Sequence, residues 1–535
     1  MCKKTAAIIM ALSMMISAAG CAQNNSSKTA ASAPTETKPA AVTKLPKPDM
    51  HKWAYNAEGD VYYQLGIVYC EAPAVKNYEQ LAIFVPGSYM EATPNGDGTF
   101  SCKQKDTHGK GYTAANAPVV MPVRTEGYAA AEPLTKEAMD SNPEIAEEIE
   151  QFTSQGFVYV QTGCRGIEEG APFGVTDLKA AVRYIRYCDD VMPGDAEKIF
   201  VHGMSGGGAL ASVLGASGDS KLYDPYLQAI GAVQGVSDAV TGTMAWCPIT
   251  DLDTANAEYE WMMGCTRQGR SEEWNKISDK LAYAYADYVN SAGFTDENGS
   301  ALTLKTSPSG IYQAGSYYDY ILSVAERSLN NFLSDNRLSG GEAQKYIDGL
   351  NNGKQWVTYD QKTNTASIAS IEDFVKNRKK ASGLSVAFDW PGSGNMLFGK
   401  SEGRGAHFDK ILSGVLTELK SQYAAEYAAD MNKKDSFGYA VEQRVNMYTP
   451  LYYLMKSRDG YGSSRVAQYW RIRTGIEQPT TSLTTEVNLA LALKHCDGVD
   501  SVDFETVWEQ GHEPVEREGD STDNYIKWIK TCITV

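Results

Sequence analysis

The segment Glu197–Gly215 constrains the fold more than any other part of this 535-residue chain. It reads as a short apolar strand, a Gly-x-Ser-x-Gly turn formed by Gly203, Ser205 and Gly207, and a helix of small and aliphatic residues. Such a tight strand-to-helix turn needs glycines and lifts the serine hydroxyl above the edge of a sheet. The helix directs its first N–H groups, including that of Gly206, at the same point. The motif therefore predicts Ser205 as a nucleophile and Gly206 as one donor of an oxyanion hole.

The order of predicted elements around this turn indicates an α/β fold. Apolar strand patterns at 61–69, 80–85, 117–123 and 156–160 are followed by a helix at 174–186 and then by the serine turn. Alternating strands and helices form a mostly parallel sheet with helices on both faces. From about residue 255 to residue 453 helical patterns dominate, and strand patterns return at 465–473 and 501–508. We therefore predict a core from segments 49–254 and 454–535, with a large helical lid insertion at 255–453.

The turn after the second predicted strand supplies candidates for the other half of the oxyanion hole. Pro86-Gly87-Ser88-Tyr89 follows the strand at 80–85. In folds built around a serine elbow, the second N–H donor comes from a loop that follows a strand. We predict that the backbone N–H of Ser88 or Tyr89 is this donor.

A serine hydroxyl attacks efficiently only when a base removes its proton, and that base is usually histidine. The chain has six histidines. Five of them lie outside the expected position of the base: His51 beside the amino-terminal tether, His108 in a loop, His202 in the elbow strand, His407 in the insertion and His495 at a helix end. His512 follows the last predicted strand, where the chain order serine, acid, histidine requires the base. We therefore predict His512 as the base.

The third member of the triad should follow the preceding strand. The only carboxylate between residues 474 and 482 is Glu477, which could orient the imidazole and stabilise its charged form. Asp497, Asp500, a carboxylate from the lid, or no acid at all remain alternatives.

Residues 1–21 form a predicted targeting segment, with an early Lys3-Lys4 pair, an apolar run and small residues before Cys21. This arrangement resembles a bacterial lipoprotein signal, which implies export, lipidation of Cys21 and anchoring to the bacterial cell membrane outside the cytoplasm. Ordinary signal cleavage is the alternative. Residues 22–48 are rich in Ala, Ser, Thr, Lys and Pro, which predicts a disordered tether.

Charge and cysteine spacing exclude several classes of partner. The net charge of −17 and the pI of about 5.0 argue against nucleic acid or an anionic membrane surface, since both would be repelled. Apart from the anchor at Cys21, we therefore expect no membrane contact. No Cys-x-x-Cys spacing indicates a zinc site, and we expect no metal and no cofactor.

Several motifs together resemble bacterial tannases and their feruloyl-esterase-like relatives. The similar segments are the serine elbow at 203–210, the helix at 177–184, Cys247-Pro248-Ile249-Thr250-Asp251-Leu252-Asp253, Tyr259-Glu260-Trp261, Ala387-Phe388-Asp389, Asn395-Met396-Leu397-Phe398-Gly399 and the region 471–483. The resemblance implies an α/β-hydrolase fold, with Ser205 as nucleophile and His512 as base. It also implies a carboxylic ester hydrolase that takes a small-molecule ester with a bulky or aromatic acyl group.

The chain departs from that family at four places. Gln478-Pro479-Thr480-Thr481 stands where bacterial tannases carry aspartates, and Gly394 replaces a lid glutamate that helps to hold galloyl hydroxyls. The residue that corresponds to the lysine in the lid of this family is either Lys379 or Lys380. The cysteine pair of the fungal enzymes is absent, since Met204 and Glu513 stand at those positions.

These departures keep two other functions open. One is a surface binding protein that uses a hydrolase fold with impaired catalysis. The other is a serine peptidase, although no propeller-like repeats precede the catalytic region.

Overall fold

The computed structural model describes residues 43–105, 107, 110–269, 271–306, 314–381, 396–401, 404–405 and 407–534. Its central element is a nine-stranded sheet. In chain order the strands are β1 (Ala54–Asn56), β2 (Val61–Val68), β3 (Gln80–Pro86), β4 (Val119–Val123), β5 (Val158–Thr162), β6 (Ile199–Met204), β7 (Gly242–Trp246), β8 (Tyr469–Gly475) and β9 (Ser501–Val507).

The strands lie in the order β1-β2-β3-β5-β4-β6-β7-β8-β9. The first three pair antiparallel with one another, and β3 is also antiparallel to β5. From β5 to β9 all pairings are parallel, so these strands share one carboxyl edge. The prediction of a mostly parallel sheet is confirmed.

Sixteen α-helices occur in the described residues. Those of the first core segment are α1 (Lys136–Ser141), α2 (Pro143–Thr153), α3 (Phe173–Tyr187), α4 (Gly206–Ala216) and α5 (Asp224–Ala229). Those between β7 and β8 are α6 (Ala255–Met263), α7 (Glu272–Ala292), α8 (Ser316–Asp335), α9 (Gly340–Asn351), α10 (Ile371–Asn377), α11 (Lys410–Glu418), α12 (Ala424–Met431), α13 (Val441–Met447) and α14 (Pro450–Leu454). The last two are α15 (Leu483–Lys494) and α16 (Ser521–Cys532).

Three short hairpins lie outside the central sheet. They pair Met90–Pro94 with Phe100–Gln104, Val357–Asp360 with Thr365–Ile368, and Lys400–Ser401 with Arg404–Gly405. The last two belong to the insertion. Because β7 and β8 are paired neighbours in the sheet, the chain between them leaves the core and returns to the adjacent position.

Both faces of the sheet are covered by apolar side chains. Phe200 of β6 packs with residues of α2 and α16 on one face, while its neighbours Ile199 and Val201 face the opposite core. This alternation follows from the two-residue period of a strand. Every residue of α4 is buried, as its composition of glycine, alanine and aliphatic residues requires. The buried helix fixes the position of the serine turn that precedes it.

Several sequence predictions fall outside the described residues. These are the targeting segment with Cys21, the tether as far as residue 42, His108, Ala387-Phe388-Asp389, Gly394 and Asn395. In the part of the chain that the structure describes, no helix has the length and apolar character needed to cross a bilayer.

Candidate active site

Ser205 lies at the carboxyl edge of the sheet, between the end of β6 and the start of α4. Its φ of 59° and ψ of −121° place a non-glycine residue in a region that side chains rarely adopt. The turn is compact, because a Cβ atom at Gly203 would lie 2.4 Å from the carbonyl oxygen of Gly207. The Ser205 N–H donates to the Trp246 carbonyl oxygen at 2.9 Å, which ties the turn to β7.

The structure brings the predicted nucleophile and the predicted base together. His512 Nε2 lies 2.9 Å from Ser205 Oγ across a separation of 307 residues. Burial, and then the positive charge of Lys379, lower the pKa of His512. A neutral imidazole with a lone pair on Nε2 can accept the serine proton.

The loop that carries His512 is held by its neighbours. The thiol of Cys247, which follows β7, lies 3.5 Å from the Glu513 carbonyl oxygen and 3.8 Å from that of Gly511. The Glu477 N–H donates to the Gln510 carbonyl oxygen at 3.0 Å. These contacts join the loops that follow β7, β8 and β9.

The loop after β4 lies directly against the start of α4. A Cβ atom at Gly206 would stand 2.5 Å from the Thr125 carbonyl oxygen, 2.6 Å from the Tyr128 nitrogen and 3.1 Å from the Gly127 nitrogen. The Tyr128 N–H donates to Thr125 O at 2.8 Å. The candidate oxyanion donors are therefore the N–H groups of Gly206 and Gly127, and the sequence motifs did not indicate the second.

The prediction that Ser88 or Tyr89 completes the oxyanion hole is wrong. Both residues follow β3, which is antiparallel to β5, so they lie at the sheet edge opposite to Ser205. The Tyr89 hydroxyl donates to the carbonyl oxygen of Gly156, just before β5 begins. The sequence of β3 does not show its direction in the sheet, which is set by its antiparallel pairing with β5.

The structure does not bring Glu477 to the imidazole. Its carboxylate forms an ion pair with Arg378, which follows α10 in the insertion. Asp497 is paired with Lys456 at 3.7 Å, and Asp500 accepts a hydrogen bond from Gln468 at 3.1 Å. Among the described residues, His512 Nδ1 has no hydrogen-bond partner.

The side-chain amide of Gln478 holds the loop after β8 together through hydrogen bonds. The buried Gln478 side chain donates to Glu486 Oε1 at 2.9 Å, and its own Oε1 accepts the N–H groups of Thr480 and Thr481 at 3.0 and 3.2 Å. The ammonium group of Lys379 donates to the Gln478 carbonyl oxygen. Lys379 is only 1% exposed, and burial lowers its pKa to about 8.

The Cys-Pro-Ile-Thr-Asp segment links the elbow to a buried acidic group. The Ile249 N–H donates to the Ser205 carbonyl oxygen at 3.3 Å, and the Tyr128 hydroxyl donates to Ile249 O at 2.5 Å.

Behind this loop Asp251 is fully buried, and desolvation raises its pKa. Burial also raises the pKa of Glu258 to about 8, although Thr484 and Thr485 donate to its carboxylate. Within the described residues, no group of three or more His, Cys, Asp or Glu side chains is arranged to hold a metal ion.

A family model and several solved structures are similar to this chain. The BD-FAE family model, which is feruloyl-esterase-like, matches residues 109–293, a range that includes Ser205. Tannin acyl hydrolase from Lactobacillus plantarum aligns with a TM-score of 0.69 at 25% identity, covering 88% of this chain and 94% of that chain. The tannase from Fusobacterium nucleatum aligns with a TM-score of 0.69 at 27% identity, covering 88% of this chain and 95% of that chain.

This chain is similar to bacterial tannases and has the α/β-hydrolase fold. The resemblance predicted from the sequence motifs is thereby confirmed. A tannin acyl hydrolase solved in complex with ethyl gallate is also similar, with a TM-score of 0.67 at 25% identity over 88% of this chain and 94% of that chain. No curated protein sequence is significantly similar to the chain.

Proposed function

We propose that this protein is a serine hydrolase that cleaves carboxylic esters with a bulky or aromatic acyl group. The observation that carries this proposal is the 2.9 Å approach of His512 Nε2 to Ser205 Oγ. The similar protein that was solved with ethyl gallate supports the choice of an aromatic ester.

In this mechanism His512 Nε2 takes the proton of Ser205 as Oγ attacks the ester carbonyl carbon. The carbonyl oxygen becomes an oxyanion, which accepts hydrogen bonds from the N–H groups of Gly206 and Gly127. The bond to the alcohol oxygen then breaks, and the imidazolium gives its proton to the departing alcohol. Water repeats the sequence on the acyl-enzyme, releasing the acid and restoring the serine.

The test combines a fluorophosphonate probe with a panel of nitrophenyl, hydroxycinnamoyl and galloyl esters. We expect the probe to label the wild type and to leave Ser205→Ala unlabelled. Ester hydrolysis should fall by about 10⁴-fold or more in Ser205→Ala and in His512→Ala. Ser154→Ala, which removes an exposed hydroxyl outside the site, serves as the matched control. Unlabelled wild type, or full hydrolysis by Ser205→Ala, would contradict the proposal.

A binding protein with impaired catalysis is the second candidate. It is favoured by one observation, the absence of a described partner for His512 Nδ1, because an imidazolium without an acid is less stable. Calorimetric titration with a galloyl ester separates the two functions. Binding at one ligand per chain with no acid released would support the second candidate, whereas steady release of acid would exclude it.

A further inference from the structure

The backbone on both sides of His512 contacts a buried thiol at the end of β7. Cys247 Sγ lies 3.5 Å from the Glu513 carbonyl oxygen and 3.8 Å from that of Gly511. Burial raises the pKa of Cys247, so the sulfur keeps its proton near neutral pH and can donate it to either carbonyl oxygen. One thiol thus contacts the residue before the base and the residue after it.

The residue that carries this thiol is itself fixed to the neighbouring strand. The Cys247 N–H donates to the Arg473 carbonyl oxygen at 2.8 Å, and Thr474 Oγ1 lies 3.7 Å from Cys247 Sγ. Cys247 has a φ of 42°, in the left-handed region that side chains rarely adopt. Such a conformation persists only where the surrounding structure holds it. The sulfur is therefore presented to the His512 loop by a backbone that is tied to β8.

Gly475, the last residue of β8, makes a second contact with the same loop. A Cβ atom at this position would stand 2.0 Å from the Gly511 carbonyl oxygen and 2.5 Å from that of Gln510. The N–H of Glu477 donates to the Gln510 carbonyl oxygen at 3.0 Å. Only a residue without a side chain lets the loop lie this close to the strand.

These contacts gain weight because the imidazole lacks its usual partner. In serine hydrolases an acid bonded to Nδ1 keeps the ring in the orientation that the reaction needs. Among the described residues, His512 Nδ1 has no hydrogen-bond partner, whereas Nε2 lies 2.9 Å from Ser205 Oγ. The position of the backbone that carries the ring then matters more for keeping base and nucleophile together.

We propose that Cys247 and Gly475 are positioning residues for His512: the thiol holds the carbonyl groups on either side of the base, and the glycine lets its loop close onto β8. Both act through the loop and not on the substrate. This inference rests on the proposed function, because it concerns the same base. It gives the ends of two neighbouring strands the orienting task that the fold usually gives to an acid.

Loss of either contact should slow the reaction without weakening substrate binding. In Gly475→Ala the new Cβ would meet the Gly511 carbonyl oxygen well inside the limit of 3.0 Å for such contacts, so the loop must move. A displacement of about 1 Å should cost about 100-fold in kcat. Cys247→Ala loses one hydrogen bond, which should lower kcat by about fivefold to tenfold. In Cys247→Ser the hydroxyl can donate to the same carbonyl oxygens, so kcat should stay within about twofold of the wild type.

The experiment measures kcat and KM for a nitrophenyl ester in the wild type, Cys247→Ala, Cys247→Ser and Gly475→Ala. Each kcat is expressed per site that the fluorophosphonate probe labels at completion, so that unfolded molecules do not enter the rate. KM should stay within about twofold in every variant.

Two controls match these changes. Cys70→Ala alters another buried cysteine, which is 1% exposed, and Gly341→Ala adds a Cβ that meets nothing within 4 Å. Both should retain the wild-type kcat, because neither residue contacts the loops that follow β7, β8 and β9.

The outcomes separate a positioning role from a purely structural one. A residue that only stabilised the fold would reduce the number of labelled sites and leave kcat per site unchanged. Equal losses of kcat in Cys247→Ala and Cys247→Ser would show that the volume of the sulfur matters instead of its hydrogen bonds. Either result, or a wild-type kcat per site in Gly475→Ala, would overturn the inference. If Gly475→Ala does not fold, the two cysteine variants decide.

A second measurement asks whether Cys247 acts through the base. Cys247→Ala is combined with His512→Ala, and the residual hydrolysis of the nitrophenyl ester is measured. Without the imidazole the loop has no base to position, so the added substitution should change the residual rate by less than about twofold. A further loss as large as the one that Cys247→Ala causes in the wild type would contradict the inference.

The two proposals fail in different ways. Ester hydrolysis with kcat values insensitive to Cys247 and Gly475 would remove the inference and leave the proposed function intact. A wild type that is neither labelled at Ser205 nor able to hydrolyse an ester would remove the proposed function, and the inference with it.

Discussion

Arg378 binds the carboxylate of Glu477, across a separation of 99 residues, and so engages the only acid that the loop after β8 offers. Lys379 reaches the next residue of that loop, Gln478. The insertion thus places positive charge on the side of the His512 loop where a negative charge would stabilise the imidazolium. Burial lowers the pKa of His512, and the positive charge of Lys379 lowers it further.

Replacing the ion-paired acid should have little effect on catalysis. We expect Glu477→Gln to retain kcat within about threefold, because its carboxylate does not reach the imidazole, and to lose about 0–1 kcal/mol of stability with the partly exposed ion pair. Steady-state kinetics and urea unfolding measure the two quantities. A loss of 100-fold or more in kcat would instead identify Glu477 as the catalytic acid.

A methyl group at the start of α4 should disable the oxyanion hole. In Gly206→Ala the new Cβ would stand 2.5 Å from the Thr125 carbonyl oxygen, so the loop after β4 must shift. We expect kcat to fall by about 10²–10³, the effect of losing one oxyanion donor. Gly349→Ala is the control, since its Cβ would meet nothing within 4 Å and should stabilise α9 by about 0.5–1 kcal/mol. Equal kcat values for the two variants would argue against this position for the hole.

The buried carboxyl groups should make the fold less stable as the pH rises. Burial raises the pKa of Glu258 to about 8 and that of Asp409 to about 7. The folded state therefore holds protons that the unfolded state has lost, and stability falls as the pH rises towards these values. For each group the loss begins above the ordinary carboxyl pKa and is at most roughly 1.4 kcal/mol per pH unit. It ends at about pH 7 for Asp409 and about pH 8 for Glu258.

Urea unfolding at several pH values tests this dependence. Glu258→Gln should flatten the decline relative to the wild type, whereas the exposed substitution Glu91→Gln should not. A decline of equal slope in all three proteins would show that Glu258 does not hold a proton in the folded state.

We further propose that the protein is exported and anchored by a lipid on Cys21. The basic pair, the apolar run and the small residues before Cys21 support this proposal. Labelling of expressing cells with a palmitate analogue should mark the wild type and not Cys21→Ser. Ser17→Ala, a substitution within the apolar run, is the control. Equal labelling of wild type and Cys21→Ser would exclude lipidation at this residue.

Local patterns suffice to predict the turn that holds Ser205 and most core elements, because the elbow, the buried strands and the small-residue helix are each encoded by adjacent residues. The approach of His512 to Ser205 could be predicted because only one histidine follows the last strand. The position of Ser88 and Tyr89 at the other sheet edge could not be predicted, because the antiparallel direction of β3 depends on its pairing with β5. The engagement of Glu477 could not be predicted, since Arg378 belongs to the insertion and meets that loop only in the folded chain.

The pairing of β7 with β8 has a consequence for variation among related proteins. Five residues of each strand are in direct register, from Gly242 opposite Tyr469 to Trp246 opposite Arg473. The chain of the insertion therefore leaves and re-enters the sheet at adjacent strands, and a longer, shorter or foreign insertion could connect the same two strands. Exchange of this segment between relatives should leave the strands and the serine elbow on an unchanged frame, and under the proposed function it should alter which ester is accepted.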